Sequence, residues 1–296
     1  MLQKGGSSPY VQVSQMPLST PMPVYAPAPL QPTNPPDAVT GLLPAEALEP
    51  EVQSRVAALF NQIHRHVETH YRDVHATLTP SMEPELAMFG AQGVNMAELL
   101  QDCSHPTTAI KHALMVYVLS ITGPKKREEG ETIFPEELQG GQLQRIAGSG
   151  TSVHCIEVTF PTMLTYIADP KLRTASTLHR RLSVYLFAAT SSLSNPRRSR
   201  HAQSDVREAA EHFSLTFFPW ANPGGDDHDK DADLARIIAE TLETRIWLFG
   251  QPHVYEFRWD GVGQRGVAIS PELVRRSDED GERNGRLVLE SGVAAI

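Results

Sequence analysis

At 296 residues the chain has room for one large domain or two small ones. Its net charge of −9 and pI near 5.7 argue against a dedicated phosphate-backbone binder, whose surface needs clustered Lys and Arg. Two cysteines, Cys103 and Cys155, are too few for a disulfide framework, and no run of about 18 apolar residues could span a membrane.

Residues 1 to 50 hold 11 of the 23 prolines and few large aliphatics. Such a segment buries too little apolar surface to offset its ordering entropy, so a disordered arm of extended polyproline character is expected there. Pro29-x-x-Pro32 and Pro32-x-x-Pro35 match the shape read by proline-binding domains, but no basic residue flanks them and a spacer explains them. The N-terminus lacks the apolar segment of a secretory signal, and no glycosylation sequon occurs. With the two isolated thiols, this gives the expectation of a soluble, intracellular, cytoplasmic protein.

From Val52 the pattern changes. Val52, Val56, Leu59, Phe60, Ile63, Val67, Tyr71 and Val74 form one face of a long helix. A proline-containing loop and a short helix near Met82–Phe89 follow, and Asn95 caps "MAELLQDC". Pro106 opens a helix that Gly123-Pro124 closes. Its residues 113–121 are apolar nearly all round, so it should lie at the centre. Further helices are expected around Glu136–Ile146 and over 156–168, 175–193, 203–218 and 231–247. "HVYEFRW" and "GVAIS" then read as a β-hairpin at about 253–270. The basic clusters Lys125–Arg127 and Arg197–Arg200 fit solvated loops. The expected fold is mainly α: a single multi-helix domain over 51–290 with a small C-terminal β-hairpin, behind the Pro-rich arm, and a short tail at 291–296.

Four segments could carry chemistry. In "DKDADLARIIAE", Asp229, Asp231, Asp233 and Glu240 occupy positions 1, 3, 5 and 12 of a calcium loop, but position 6 is Leu234 where the turn needs Gly. An apolar stripe through Leu234, Ile237, Ile238 and Leu242 makes this the start of a helix, with the aspartates near its positive end. In "HRHVETH", His66 and His70 are four apart and could hold zinc. Glu68 does not follow the first histidine directly, as a zinc peptidase requires, and a third ligand from His64, His75 or a remote segment is not visible in the spacing. They read as partly buried polar positions of a helix.

Gly261, Gly263 and Gly266 spell a dinucleotide fingerprint, but β-branched residues and Pro271 follow instead of a helix. The Cys103/His105 and His154/Cys155 neighbours lack an orienting third group. No catalytic residue, cofactor or metal site is therefore assigned, and nothing in the sequence makes the melting temperature respond to calcium or zinc.

The stretches "LFNQIHRHVETHYRDVHATLTPSMEPELAMFG" (59–90), "PTTAIKHALMVYVLSITG" (106–123) and "DLARIIAETLETRIWLFGQPHVYEFRW" (233–259) resemble an uncharacterised family of helical proteins from filamentous fungi. The resemblance implies one family domain over about 50–290 and a fungal source, and it carries no catalytic residues. Relatives look as if they bear an N-terminal membrane segment and a basic linker, so a shorter member or an incomplete gene product is expected here.

The functional expectation is a non-catalytic interaction or regulatory protein that meets a protein partner, with no nucleic acid and no membrane in this chain. The alternative is an enzyme or small-ligand binder, for instance an accessory protein of fungal secondary metabolism, with polar groups lining a pocket between helices. Limited proteolysis tests the organisation. Residues 1 to about 48 should be cut first, leaving a resistant fragment that starts near residue 50. A resistant fragment beginning near residue 1 contradicts it.

Overall fold

The computed structural model describes residues 41, 43–124, 132–139, 170–192, 196–259, 266–276 and 285–294. Residues 1–40 and 42 of the expected Pro-rich arm, the helix at 156–168, the Lys125–Arg127 cluster and Cys155 lie outside these residues, while the end of that arm is described, with Leu43 buried and Glu49 and Pro50 already in a helix. Among the described residues, seven helices carry the fold: α1 (Glu49–His70), α2 (Glu83–Ala87), α3 (Met96–Asp102), α4 (Pro106–Ile121), α5 (Pro170–Ser192), α6 (Pro196–Thr216) and α7 (Asp227–Phe249). Five short strands follow: β1 (Val254–Arg258), β2 (Val267–Ser270), β3 (Glu272–Arg276), β4 (Arg286–Leu289) and β5 (Gly292–Ala294). The expected mainly helical fold with a small C-terminal β element is the observed one. No helix of the described residues is long and apolar enough to cross a membrane.

α4 is the axis. Ala109, Ile110 and every residue from His112 to Leu119 are buried, because an all-round apolar helix must be covered on every face. α1 covers one side with Val52, Val56, Leu59, Ile63 and Val67, and α6 adds Val206, Ala210 and Phe213 at helical spacing, with Phe217 just past its end. Phe89, Tyr117, Phe213 and Phe217 meet in five tilted, edge-on and stacked pairs, with ring centroids 4.5–5.8 Å apart. Asn95 caps α3 as expected, accepting from the Ala97 and Glu98 amides.

Where local pattern and tertiary pairing conflict, pairing prevails. The stripe of α1 runs on to Val74, yet the helix stops at His70. Tyr71 is extended and bridges Ala221, while Arg72 donates to the Trp220 carbonyl at 2.9 Å. Arg197–Arg200, expected in a loop, begin α6 behind Pro196, which suits a first helical position.

The expected 253–270 hairpin is also corrected. β1 pairs antiparallel with β3, from Val254↔Arg276 to Arg258↔Glu272, and β3 continues to β4. β2 instead pairs with β5. Its Val267, Ala268 and Ser270 are buried, which places it against α4, and Pro271 marks the passage from one sheet to the other. A β-carbon on Gly266 would collide with the Ala294 carbonyl, so glycine is required for this approach.

Gly250 ends α7 as expected, but not through a left-handed conformation: its φ is −77°. Instead, a β-carbon there would sit 2.9 Å from Val184 of α5. Beside it, buried Arg180 donates to the carbonyls of Gln251 and Pro252 at 2.7 and 2.9 Å. The Phe249-Gly250-Gln251-Pro252 corner is thus where α5 docks.

One apolar cluster runs from Val52 to Val288 and includes Val267 and Leu273 of the strands. The alternating pattern of the strand leads one to expect Trp259 or Phe257 to be buried, but both are half-buried: Phe257 leans on Phe60 and Arg245, and Trp259 on His112. Leu273, fully buried, is the residue that ties the sheet to the core. Leu273→Ala should lower the unfolding free energy by about 2–5 kcal/mol in urea denaturation. A loss under about 0.5 kcal/mol, the scale of surface substitutions, would make the sheet an appendage.

Candidate functional site

α1 and α7 lie antiparallel, so numbers rise along one as they fall along the other: Arg55 Nε meets Thr244 Oγ1 at 3.4 Å, and eleven residues on His66 meets Asp233. At that end of the seam three groups of two rejected motifs converge. His66 and His70, one turn apart on α1, face Asp233 of α7, and one possible ligand atom from each lies within 4.8 Å of the others. The acids of "DKDADLARIIAE" do sit in a helix, and Asp226 is the cap, accepting from the His228 amide at 2.9 Å. Asp233 is not a cap. It lies on the second turn and reaches across to α1.

Burial sets the charge state. The His66 side chain is fully buried, and burial pulls its pKa down to about 4, against the hydrogen bond to Asp233, which raises it. Neutral His66 therefore donates Nδ1–H to Asp233 Oδ2 at 2.8 Å, leaving Nε2 unprotonated. That buried nitrogen has no hydrogen-bond partner among the described residues. His70 Nε2 is 3.8 Å from the same carboxylate oxygen. Partial burial raises the Asp233 pKa, but hydrogen bonds from His66 and Arg236 outweigh it and hold the carboxyl below its ordinary value. Arg236 grips Oδ1 at 2.5 Å and is itself held by Glu240 at 2.7 Å. Side-chain exposures of 17% for His70 and 29% for Asp233 put one edge of the cluster in contact with solvent.

The other singled-out residues do not join this cluster. His64 Nε2 donates to the Ile269 carbonyl at 3.2 Å, Glu68 pairs with Lys111 at 2.6 Å, and His105 bonds Asp73. Cys103 is a buried free thiol whose Sγ donates to the His105 carbonyl at 3.2 Å. Of the glycine fingerprint only Gly266 is described, and a strand follows it. A cleft of about 200 Å³ opens farther along the α1–α7 seam, lined by Arg55, Gln62, Glu240, Glu243 and Thr244, with no histidine among its walls.

Sequence reasoning missed His112, which gives no motif signal because it is one polar residue within an apolar run. It is fully buried on α4: Nδ1 donates to the Ala268 carbonyl at 2.6 Å and Nε2 accepts from the Ala91 amide at 3.2 Å. One neutral imidazole thus joins α4, β2 and the loop before α3. Comparison with protein-family models, curated proteins and solved structures finds no match.

Burial lowers the His112 pKa, and the Ala268 hydrogen bond only partly opposes it. The unfolded chain, with histidine near the ordinary value of about 6.5, then binds the proton more readily than the folded one. The contribution of His112 is complete above that value and is lost as pH falls through it towards the folded-state pKa. The fall in unfolding free energy from about pH 7 to pH 5 should be shallower in His112→Gln than in the parent, with His64 and His66, whose pKa values burial also lowers, contributing to the slope that remains. Equal slopes would rule His112 out as a source of acid lability.

Proposed function

We propose that this protein is a non-catalytic interaction or regulatory protein of fungal type, whose helical domain presents a surface to a protein partner with the Pro-rich segment as tether. The observation that carries this reading is where the reactive side chains go. His64 and His112 tie helix to strand, His105 holds Asp73, and Lys111 holds Glu68, so each is engaged in joining elements. Small-molecule sites are generally apolar cavities of about 300–1,000 Å³ with a few convergent polar groups. The cleft on the α1–α7 seam is smaller, charged, and lacks the histidines at 64–75 that would have favoured a ligand-binding reading.

A protein partner fits the overall charge of −9 better than a nucleic acid, which would meet repulsion outside local basic clusters. A cytoplasmic setting belongs to the same proposal and is supported by the free Cys103 thiol. Native mass spectrometry of the chain purified from its own source tests it. The expected species is a complex with a second, different polypeptide. A single 32.6 kDa chain carrying a small organic molecule that is released on denaturation would overturn the reading in favour of a ligand binder.

A further inference from the structure

We propose that His66, His70 and Asp233 form a binding site for one zinc-class divalent transition-metal ion, clamping the C-terminal turn of α1 to the second turn of α7. This goes beyond the interaction reading and does not depend on it.

The donor set selects the metal. Two imidazoles and one carboxylate suit zinc and its neighbours cobalt and nickel, whereas calcium and magnesium require mostly oxygen ligands. The spacing on α1 is right for a shared ion, because residues four apart stack on one helical face. Ligand atoms of a tetrahedral zinc stand roughly 3.3 Å apart. Asp233 Oδ2 is 2.8 Å from His66 Nδ1 and 3.8 Å from His70 Nε2, on either side of that value, and the ion takes the place of the Nδ1 proton, which moves to Nε2 of the neutral ring. Side-chain adjustments of about half an ångström bring those two separations to it, and turning the partly exposed His70 ring shortens the remaining one, which lies within 4.8 Å.

The surroundings are built as well. Arg236 holds the second oxygen of Asp233 and Glu240 holds Arg236, so the carboxylate is oriented from outside in the way ligating carboxylates generally are. Glu240 also offsets the Arg236 charge beside the site. The solvent-facing edge between His70 and Asp233 admits the ion and leaves a position for water.

The test uses the full chain stripped with a chelator and titrated with zinc in competition with a chromophoric indicator, then with cobalt for its visible absorption bands. One ion per chain is expected, with a melting temperature that climbs as free zinc rises and ignores calcium. His70→Ala and Asp233→Asn should each weaken binding at least about ten-fold and abolish the cobalt spectrum. His253→Ala, which removes a histidine paired with Glu46 elsewhere, should leave both unchanged. Far-UV circular dichroism of the metal-free variants reports whether they fold, and His70→Gln replaces His70→Ala if that spectrum changes. Absence of saturable zinc binding overturns the proposal. So does binding that survives both ligand substitutions, or that His253→Ala weakens equally.

Discussion

A helix that is apolar on every face cannot rest at a surface, and α4 imposes that condition on the rest of the molecule. From Ala113 to Leu119 it offers no polar side that water could solvate, apart from the Tyr117 hydroxyl. That hydroxyl donates to the Ala209 carbonyl of α6 at 3.0 Å, and burial pushes its pKa up to about 12. α1, α3 and α6 supply helical cover, and the remaining side is closed by β2, a strand. A strand there brings backbone carbonyls to the helix, and His112 answers one of them. An unsatisfied imidazole in that position would cost about 1–3 kcal/mol, so the histidine and the strand require each other.

The same condition explains the β element. Two strands in sequence with a glycine turn between them form a hairpin when nothing else competes for the second one. Here the second strand carries Val267 and Ala268, both fully buried, and it lies against α4, where their apolar surface is removed from water. β1 then takes β3 as neighbour, whose Leu273 joins the core, and β5 closes the free edge of β2. A period-two pattern identifies strands correctly in such a segment. It carries no information on which strand lies beside which, because that choice is made by α4, about 150 residues earlier.

What was legible in the sequence follows the range of the force concerned. Helices α1, α3, α4 and α7, the Asn95 cap and the stop at Gly250 are local consequences of periodicity and backbone chemistry, and they are where the pattern puts them. The end of α1 is not, since Tyr71 pairs with Ala221 across the fold. Gly250 was legible as a stop but not for its reason, which is the approach of Val184 from α5.

The histidine–carboxylate cluster shows the limit most clearly. His66 and His70 failed as a zinc motif for want of a third ligand, and Asp233 failed as a calcium ligand for want of a glycine. Each of these readings weighed its own segment alone. The partner each lacked lies 167 residues away on the opposite helix, and antiparallel packing of α1 on α7 brings them together. A motif read along one stretch of chain tests only what that stretch can build alone. Sites assembled on a helix–helix seam are specified instead by two apolar stripes, Val52 to Val67 on α1 and Leu234 to Leu248 on α7, which fix the register at which polar residues on their shoulders meet. In this protein the stripes place His66 opposite Asp233 as strictly as they place Leu59 and Ile63 in the core.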